Sequence, residues 1–305
     1  MSPVEAIRRS LGAKLSLKLA ALLLSLLAVA TALTTIRQTQ QMEEATLEKA
    51  RLTASVAARQ WGDMFDNAID SGLASVADVF DRRYVEIKGY DWGPKPKYHT
   101  RYDSLTDRAV LVFQDRILED PDFVYAVGVD ENGYIPTHNS IYQRPLDGTD
   151  KDLTWNRTKR LFNNPVELKA AQNTEPSLLQ TYARDTGETM WDVSSPILVK
   201  GKHWGGFRLG VSMKRIDARQ WNLAATLLGL LYSFGALTLV VMFLLVRWAL
   251  RPVVVLTHTA EQISLGEGLD TSIKSTAVDE LGQLANAIER LRVSMRAAMS
   301  RLGGP

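Results

Sequence analysis

The chain has 305 residues, a formal net charge of +2, four histidines and no cysteine. The absence of cysteine excludes disulfides, thiolate zinc sites, haem attachment through cysteine and cysteine nucleophiles. The charge is small and the lysines and arginines are scattered, so the composition does not predict binding to nucleic acid.

The first apolar block, Leu19 to Leu33, follows basic residues at positions 8, 9, 14 and 18. It has two interpretations: a cleaved signal peptide, because small residues follow Val29, or an uncleaved membrane anchor. Apolar residues continue at spacings of three and four from Leu47 to Ala68, which predicts an uninterrupted helix and favours the anchor. We therefore predict a cytoplasmic N-terminus at 1–14 and a transmembrane helix at 15–37.

A second apolar stripe from Phe65 to Phe80 lies beside the first. It predicts that the later half of the long helix has one face for a dimer partner and one for a domain core. Two prolines and two glycines predict a loop from Gly89 to Thr100. Another helix is expected from Leu105 to Leu118, with Ser104 as its N-cap.

After Asp122 the hydrophobic period becomes that of strands. A strand at Phe123–Val129, a turn at Gly133 and a strand resuming at Tyr134 are predicted first. Helical patterns follow at Asn156–Phe162 and Pro165–Gln172. The last three strands, separated by turns at Asp185-Thr186-Gly187 and Lys200-Gly201-Lys202, are expected to form an antiparallel meander: Leu178–Arg184, Glu188–Val199 and His203–Met213. The sum is a five-stranded α+β domain at 38–220.

The second apolar block runs from Leu223 to Val246 without a charge and exceeds the roughly 20 residues that a spanning helix needs. Trp221 and Trp248 lie at its ends, which is typical of a membrane interface. We predict a second transmembrane helix at 221–248. Basic residues before the first span and after the second place both termini in the cytoplasm and 38–220 outside.

The segment after the second span contains two helical patterns joined by a connector with two glycines. Pro252 is expected in the first turn of the first helix, which should stop at Gly266. The second helix opens with Asp279 and Glu280, and its apolar residues alternate at three and four like a coiled-coil seam. The same phase runs back to Leu239, which predicts that the second span and this helix move as one rod.

Two family resemblances follow from these segments. The VDENGYIPTHN stretch at Val129 and the GKHWGGFRLGV hairpin at Gly201, placed between two spans, resemble a single Cache (PAS-like) sensor domain of bacterial chemoreceptors and histidine kinases. Residues 249–302 resemble a HAMP domain, although two residues separate Gly266 from Leu269 where the family usually has one. The resemblance implies a parallel four-helix coiled coil of two protomers, with these relay residues: Pro252, Leu256, Ile263, Leu269, Ile273, Glu280, Leu284, Ile288 and Leu291.

Cache domains bind small molecules on the concave side of the sheet, so the resemblance implies a ligand site. The polar and aromatic residues suited to it are His138, Asn139, Arg157, Arg160, Tyr182, Trp191, Asp192 and Arg208. Arg157 and Arg160 lie three apart on a predicted helix and could face one carboxylate. The alternative is that both form surface ion pairs.

Together with these observations, the resemblances imply a homodimeric, non-enzymatic sensor of a small periplasmic solute in a bacterial inner membrane. Few residues follow the second relay helix, so the output is expected in a cytoplasmic partner or in a signalling domain missing from this sequence. No cofactor is expected in the solute model. Two alternatives remain: a haem or redox sensor that uses His138, and a scaffold subunit that binds another envelope protein.

Overall fold

The computed structural model describes residues 11–89, 92, 95–145, 148, 149, 151–183, 187–273 and 280–302. The chain forms two compact units, Thr35–Ala225 and the combination of Met1–Thr34 with Thr226–Pro305. The segment 1–10, Arg184, Asp185, Thr186 and Asp279 lie outside the described residues, and so do the predictions that involve them.

The described helices are α1 (Leu11–Asp70), α2 (Val76–Val79), α3 (Asp103–Ala109), α4 (Leu111–Ile117), α5 (Lys151–Trp155), α6 (Pro165–Ala171), α7 (Met213–Ser264) and α8 (Glu280–Leu302). The described strands are β1 (Val85–Glu86), β2 (Tyr98–His99), β3 (Phe123–Asp130), β4 (Tyr134–Ile135), β5 (Arg160–Leu161), β6 (Leu178–Ala183), β7 (Thr189–Val199) and β8 (Lys202–Ser212). The predicted α+β class is confirmed.

A four-stranded antiparallel sheet in the order β3-β8-β7-β6 organises the Thr35–Ala225 unit. The predicted meander is present, and the two-residue turn between β7 and β8 has positive φ at Lys200 and Gly201, as such hairpins require. The prediction of five strands in one sheet is wrong. Strand β4 pairs with β5 instead, because the turn at Gly133 brings the backbone against the carbonyl of Phe162.

One face of this sheet packs against α1. The helix presents Ala50, Ala54 and Ala57, whose small side chains allow close approach, followed by Trp61 and Phe65, and all five are buried. Burying each of these aromatic rings contributes about 2 to 3 kcal/mol. Both predicted apolar stripes therefore supply the domain core in this part of α1.

Two predicted helices and one predicted loop have different limits in the structure. Helix α1 ends at Asp70, and the separate helix α2 is capped by reciprocal hydrogen bonds between Ser75 and Asp78. The predicted helix at 105–118 is divided into α3 and α4, and Ser104 is not the N-cap. Part of the predicted 89–100 loop forms β2, which pairs with β1.

The predicted helix at 156–162 is also absent, since α5 ends at Trp155 and Arg160 begins β5. Lys159 adopts φ 58°, and its N–H donates to the carbonyl of Ile135. This hydrogen bond recruits the segment to β4, so tertiary pairing overrides the local helical pattern.

The other face of the sheet carries Tyr125, Val127 and Val129 of β3 and is covered in part by α6. Helix α6 begins at Asn164, whose side chain caps it by accepting from the N–H of Glu167. Its C-terminal end lies directly on Gly206 of β8, where a Cβ would approach the carbonyl oxygen of Ala170 to 2.6 Å.

Helices α1 and α7 each contain a stretch long and apolar enough to cross a membrane. Pro252 lies inside α7 rather than in the first turn of a new helix, so its expected position is wrong, whereas the second apolar block and the first relay helix form one continuous helix, as the rod prediction requires. The helix ends at Ser264, and Gly266 follows with φ 82°, a left-handed conformation suited to glycine after a helix.

Candidate functional site

The second face of the sheet contains a small cavity of about 20 Å³, which has room for about one water molecule. Its lining consists of Tyr125, Val127, Ile135, His138, Arg157, Phe162, Glu167, Tyr182 and Arg208. Strands β3, β6 and β8 and helix α6 supply most of these residues. The structure therefore brings together four of the predicted site residues: His138, Arg157, Tyr182 and Arg208.

Arg208 and Asp192 form a buried ion pair beneath this cavity. The Arg208 Nη2 and Nε atoms donate to Asp192 Oδ2 at 2.7 and 3.1 Å, and the Tyr125 hydroxyl donates to Asp192 Oδ1 at 3.0 Å. Burial and the neighbouring Asp192 carboxylate raise the pKa of Tyr125, so the phenol remains a donor. Gly210, on the same face of β8, leaves space for the Tyr125 ring.

Arg157 and Arg160 meet at an aromatic ring rather than on one helix. Both guanidinium carbons lie 5.0 Å from the centroid of Phe162, within cation–π range. Arg157 lines the cavity, whereas Arg160 is buried and donates to the carbonyl of Asn156. The expected pair is close in space, but only Arg157 reaches the cavity.

His138 is fixed at one ring nitrogen. Its Nδ1 accepts a hydrogen bond of 2.8 Å from the N–H of Asn139, so in the neutral ring Nε2 carries the proton. The imidazole lies 4.6 Å from the ring of Tyr142, measured between centroids. His138 therefore presents a donor in a partly aromatic environment.

Besides Arg160 and Asp192, two further predicted site residues do not line the cavity. Asn139 is buried and uses its side chain to accept from the N–H of Ala126 and donate to the carbonyl of Gln114, both at 2.9 Å. Trp191 precedes Asp192 in β7, so it points to the opposite face and packs against the first core. Both residues support the fold around the site.

Sequence reasoning missed Tyr125, Phe162 and Glu167. Tyr125 could have been found from the alternation in β3, which places it on the same face as Val127. Glu167 gave no signal, because an acidic residue in the first turn of a helix is common for electrostatic reasons. Burial raises the pKa of Glu167, while the charges of Arg208 and Arg157 oppose the increase.

An ion cluster at the start of β3 joins the two long helices within the Thr35–Ala225 unit. The buried Asp122 carboxylate accepts from Lys49 of α1 at 2.6 Å and from Arg219 Nη1 of α7 at 3.1 Å. Lys49 also contacts Asp120 at 2.8 Å. Strand β3 supplies Tyr125 to the cavity, so one strand touches both the cavity and the cluster.

In the other unit, the end of α7 packs against α8. The predicted relay residues Leu256, Ile263 and Ile288 are buried there, and Leu269 and Ile273 pack against the same cluster. Glu280 is the first residue of α8. Leu284 and Leu291 are 42% and 52% exposed.

A clamp that sequence reasoning missed fixes the connector to α8. Glu289 Oε2 accepts from the N–H of Ile273 at 2.8 Å, and Arg292 pairs with both Glu289 oxygens at 2.7 and 2.9 Å. Arg292 also donates to the carbonyl of Leu269. The contacts to Arg292 and Ile273 lower the pKa of Glu289 to about 2. The i,i+3 spacing of Glu289 and Arg292 in the sequence could have predicted this ion pair.

Residues 244–297 match the family model of the HAMP domain. The predicted HAMP domain is confirmed, and the buried α7–α8 cluster and the clamp belong to it. No curated protein sequence matches the chain significantly.

Several solved structures are similar to the chain. The sensor domain of the V. cholerae histidine kinase DctB is 11% identical over 65% of this chain and 59% of that chain, with a TM-score of 0.39. An extracellular ligand binding receptor from Desulfohalobium retbaense is 13% identical over 60% and 25%, with a TM-score of 0.33. The E. coli DcuS sensor domain is 18% identical over 38% and 75%, with a TM-score of 0.28.

The chain spans less than two thirds of the length of the first two of these structures. At such TM-scores the similarity does not define the fold by itself. The fold is defined by the strands and helices of the chain itself.

Proposed function

We propose that this chain is a two-span bacterial inner-membrane sensor that binds a small solute in the cavity and relays binding through its HAMP domain. The continuity of the chain carries the proposal. Strand β8 supplies Arg208 to the cavity, ends at Ser212 and continues without a loop into α7 at Met213. Helix α7 contains both an apolar stretch and the start of the HAMP match. A displacement of β8 therefore has a helical path to the relay.

The distribution of basic residues supports the proposed orientation in the membrane. Lys14 and Lys18 precede the first apolar block, and Arg247 and Arg251 follow the second. Basic residues near the ends of spans remain on the cytoplasmic side. This distribution supports a periplasmic domain at 38–220 and cytoplasmic termini.

Signalling requires that the solute bind one of two conformations more tightly. The Asp122 cluster links α1 and α7 through Lys49 and Arg219, so it can hold the two helices in one arrangement. A solute that contacts Arg208 shifts β8 relative to β3 and changes the arrangement of the helices. The chain acts by this relay and not by catalysis.

The HAMP domain supports a homodimer. Leu284 and Leu291 are seven residues apart on one face of α8 and are exposed, whereas Ile288, which lies between them in the sequence, is buried. A second copy of α7 and α8 would bury them in a four-helix coiled coil. The output is a cytoplasmic partner or a further signalling domain.

Cysteine cross-linking tests the dimer, because the chain has no native cysteine. We expect Leu291→Cys to form a disulfide-linked dimer in membranes. Asn286→Cys is the control, since it lies about 140° around the helix from Leu291 and is exposed. Equal cross-linking of the two variants would contradict the proposed seam.

A thermal-shift screen of the purified full chain in detergent tests the solute site. Amines, amino acids and organic acids are the panel. A solute at one hundred times its Kd stabilises the fold by about 2.7 kcal/mol, or about 5 to 11 °C for a domain of this size. The shift should disappear in Arg157→Gln and persist in the control Arg116→Gln, whose side chain is exposed.

Two results would replace this proposal. A uniformly silent screen combined with capture of another envelope protein would favour a scaffold. A Soret band in the absorption spectrum of the purified chain, lost in His138→Ala, would favour haem sensing, because the solute proposal needs no cofactor.

A further inference from the structure

A groove at the C-terminal end of α1 shares no lining residue with the cavity. Its volume is about 710 Å³. Met64, Asn67 and Ala68 of α1 line one wall, and Leu105 and Arg108 of α3 line the other. Within each wall these residues follow helical spacings of three and four, so each wall is one face of a helix. The groove therefore lies between two helix faces.

The floor of the groove is apolar and its walls are open to solvent. Met64 and Leu105 pack against the core between α1 and the sheet, and Ala68 is buried. Leu73 lines the same groove and is 72% exposed. Most of the lining residues are exposed: Asn67, Ser71, Leu73, Arg101, Ser104, Arg108 and Ala109. Because small-molecule sites enclose most of the surface of their ligand, these open walls favour a segment of a larger partner.

Two arginines make the groove positive. Arg101 Nη1 donates to Asp78 Oδ1 at 2.9 Å, and Asp78 Oδ2 accepts from the hydroxyl and the N–H of Ser75 at 2.6 and 3.0 Å. The acid of the lining is therefore already engaged. Among the residues that the structure describes, Arg108 has no ion-pair partner within 4 Å. An occupant with acidic groups complements this charge.

We propose that the groove docks an amphipathic helix of another protein, with apolar side chains on Met64 and Leu105 and acidic side chains at Arg101 and Arg108. A helix fits because side chains at spacings of three and four pack between those of two neighbouring helix faces. The groove is short, so the complex is weak and transient. This inference does not depend on the proposed solute site, because the two sites share no residue.

The test is fluorescence anisotropy of a labelled peptide of about 15 residues, the length at which isolated helices begin to form. The peptide carries leucines at helical spacings of three and four, flanked by glutamates. The protein is the full chain in phosphatidylcholine nanodiscs, which have no net charge, and empty nanodiscs give the background. We expect saturable binding to the wild type and about tenfold weaker binding to the double variant Arg101→Gln with Arg108→Gln. Arg116→Gln is the control, since Arg116 is exposed and lies outside the groove.

A reversal of charge makes the test independent of folding. Arg108→Glu should lose the glutamate peptide and bind the same peptide with lysines in place of the glutamates. A misfolded variant would bind neither peptide at the groove. Equal affinity of the wild type for both peptides would overturn the acidic partner, and equal affinity of the wild type and the double variant would overturn the groove.

Three results with no saturable binding of the peptide also overturn the docked helix. Absence of binding without any other signal leaves the groove without a helical partner. Calorimetric binding of glutarate that is lost in Arg108→Gln assigns the groove to a small anion. Disulfide-linked dimers of Ser104→Cys that disappear when Arg108→Glu is added assign it to a second copy of the chain. The solute screen is unaffected by each of these results, so failure of this inference leaves the proposed function standing.

Discussion

Replacement of Asp192 by asparagine is the sharpest test of the charge arrangement under the cavity. The change leaves the Arg208 guanidinium buried without its carboxylate. The side chains of Arg208 and Asp192 are 4% and 0% exposed, so solvent does not compensate for the loss. Removing one partner of a buried pair costs about 3 to 5 kcal/mol, which corresponds to a decrease in Tm of about 6 to 20 °C for a domain of this size.

Thermal unfolding of the full chain in detergent, followed by circular dichroism, measures this decrease. Asp70→Asn is the control, because its pair with Lys200 is exposed, at 69% and 34%, and surface pairs contribute about 1 kcal/mol or less. The double variant Asp192→Leu with Arg208→Met removes both charges and should recover most of the lost stability. Equal Tm values for Asp192→Asn and Asp70→Asn would refute the reasoning, as would a double variant no more stable than Asp192→Asn.

Three further predictions concern other charged groups. Burial lowers the pKa of Lys97 from 10.5 to about 8. Between pH 8 and 10.5 the folded state therefore binds fewer protons than the unfolded state, so stability rises with pH. In denaturant titrations across this range, the wild type should gain up to about 3 kcal/mol of stability relative to Lys97→Met. Asp122→Asn should leave the Kd of the solute, measured by calorimetry, unchanged. The same substitution should abolish any effect of the solute on cross-linking of Leu291→Cys. If the solute still changed the cross-linking, Asp122 would not couple solute binding to the HAMP domain. Arg292→Ala should accelerate amide hydrogen exchange at Ile273, whereas the exposed Arg290→Ala should not.

Local signals predicted the meander and the HAMP domain correctly. The β7–β8 turn requires residues that tolerate positive φ, and Lys200-Gly201 supplied that signal between two runs of strand residues. The HAMP domain depends on a periodic seam and on glycines at a helix end, which are also local features. Gly266 carries the left-handed conformation that ends α7.

The rest depended on contacts between distant segments. Lys159 donates its N–H to Ile135, 24 positions earlier in the sequence, and this bond converts a predicted helix into β5. Arg157 is therefore not on a helix, and its helical spacing from Arg160 did not predict its position in the cavity. Glu167 enters the site because α6 rests on Gly206, a contact that no pattern around Glu167 encodes. The candidate site was therefore predictable in its residue types and not in its geometry.

The sheet itself indicates which strand transmits a change from the cavity. Strand β3 has a register shift between Phe123 and Tyr125, which separates the cavity residue Tyr125 from the Asp122 cluster. Such an irregularity bends the strand locally and absorbs small displacements. Strand β8 pairs regularly with β7 from Arg208 to Ser212, a distance of about 13 Å at strand geometry. Because Met213 begins α7 immediately afterwards, the β7–β8 hairpin is the stiffer connection. Under the proposed relay, the Asp122 cluster is the point against which α7 moves, so its loss should uncouple binding from the relay without weakening binding itself.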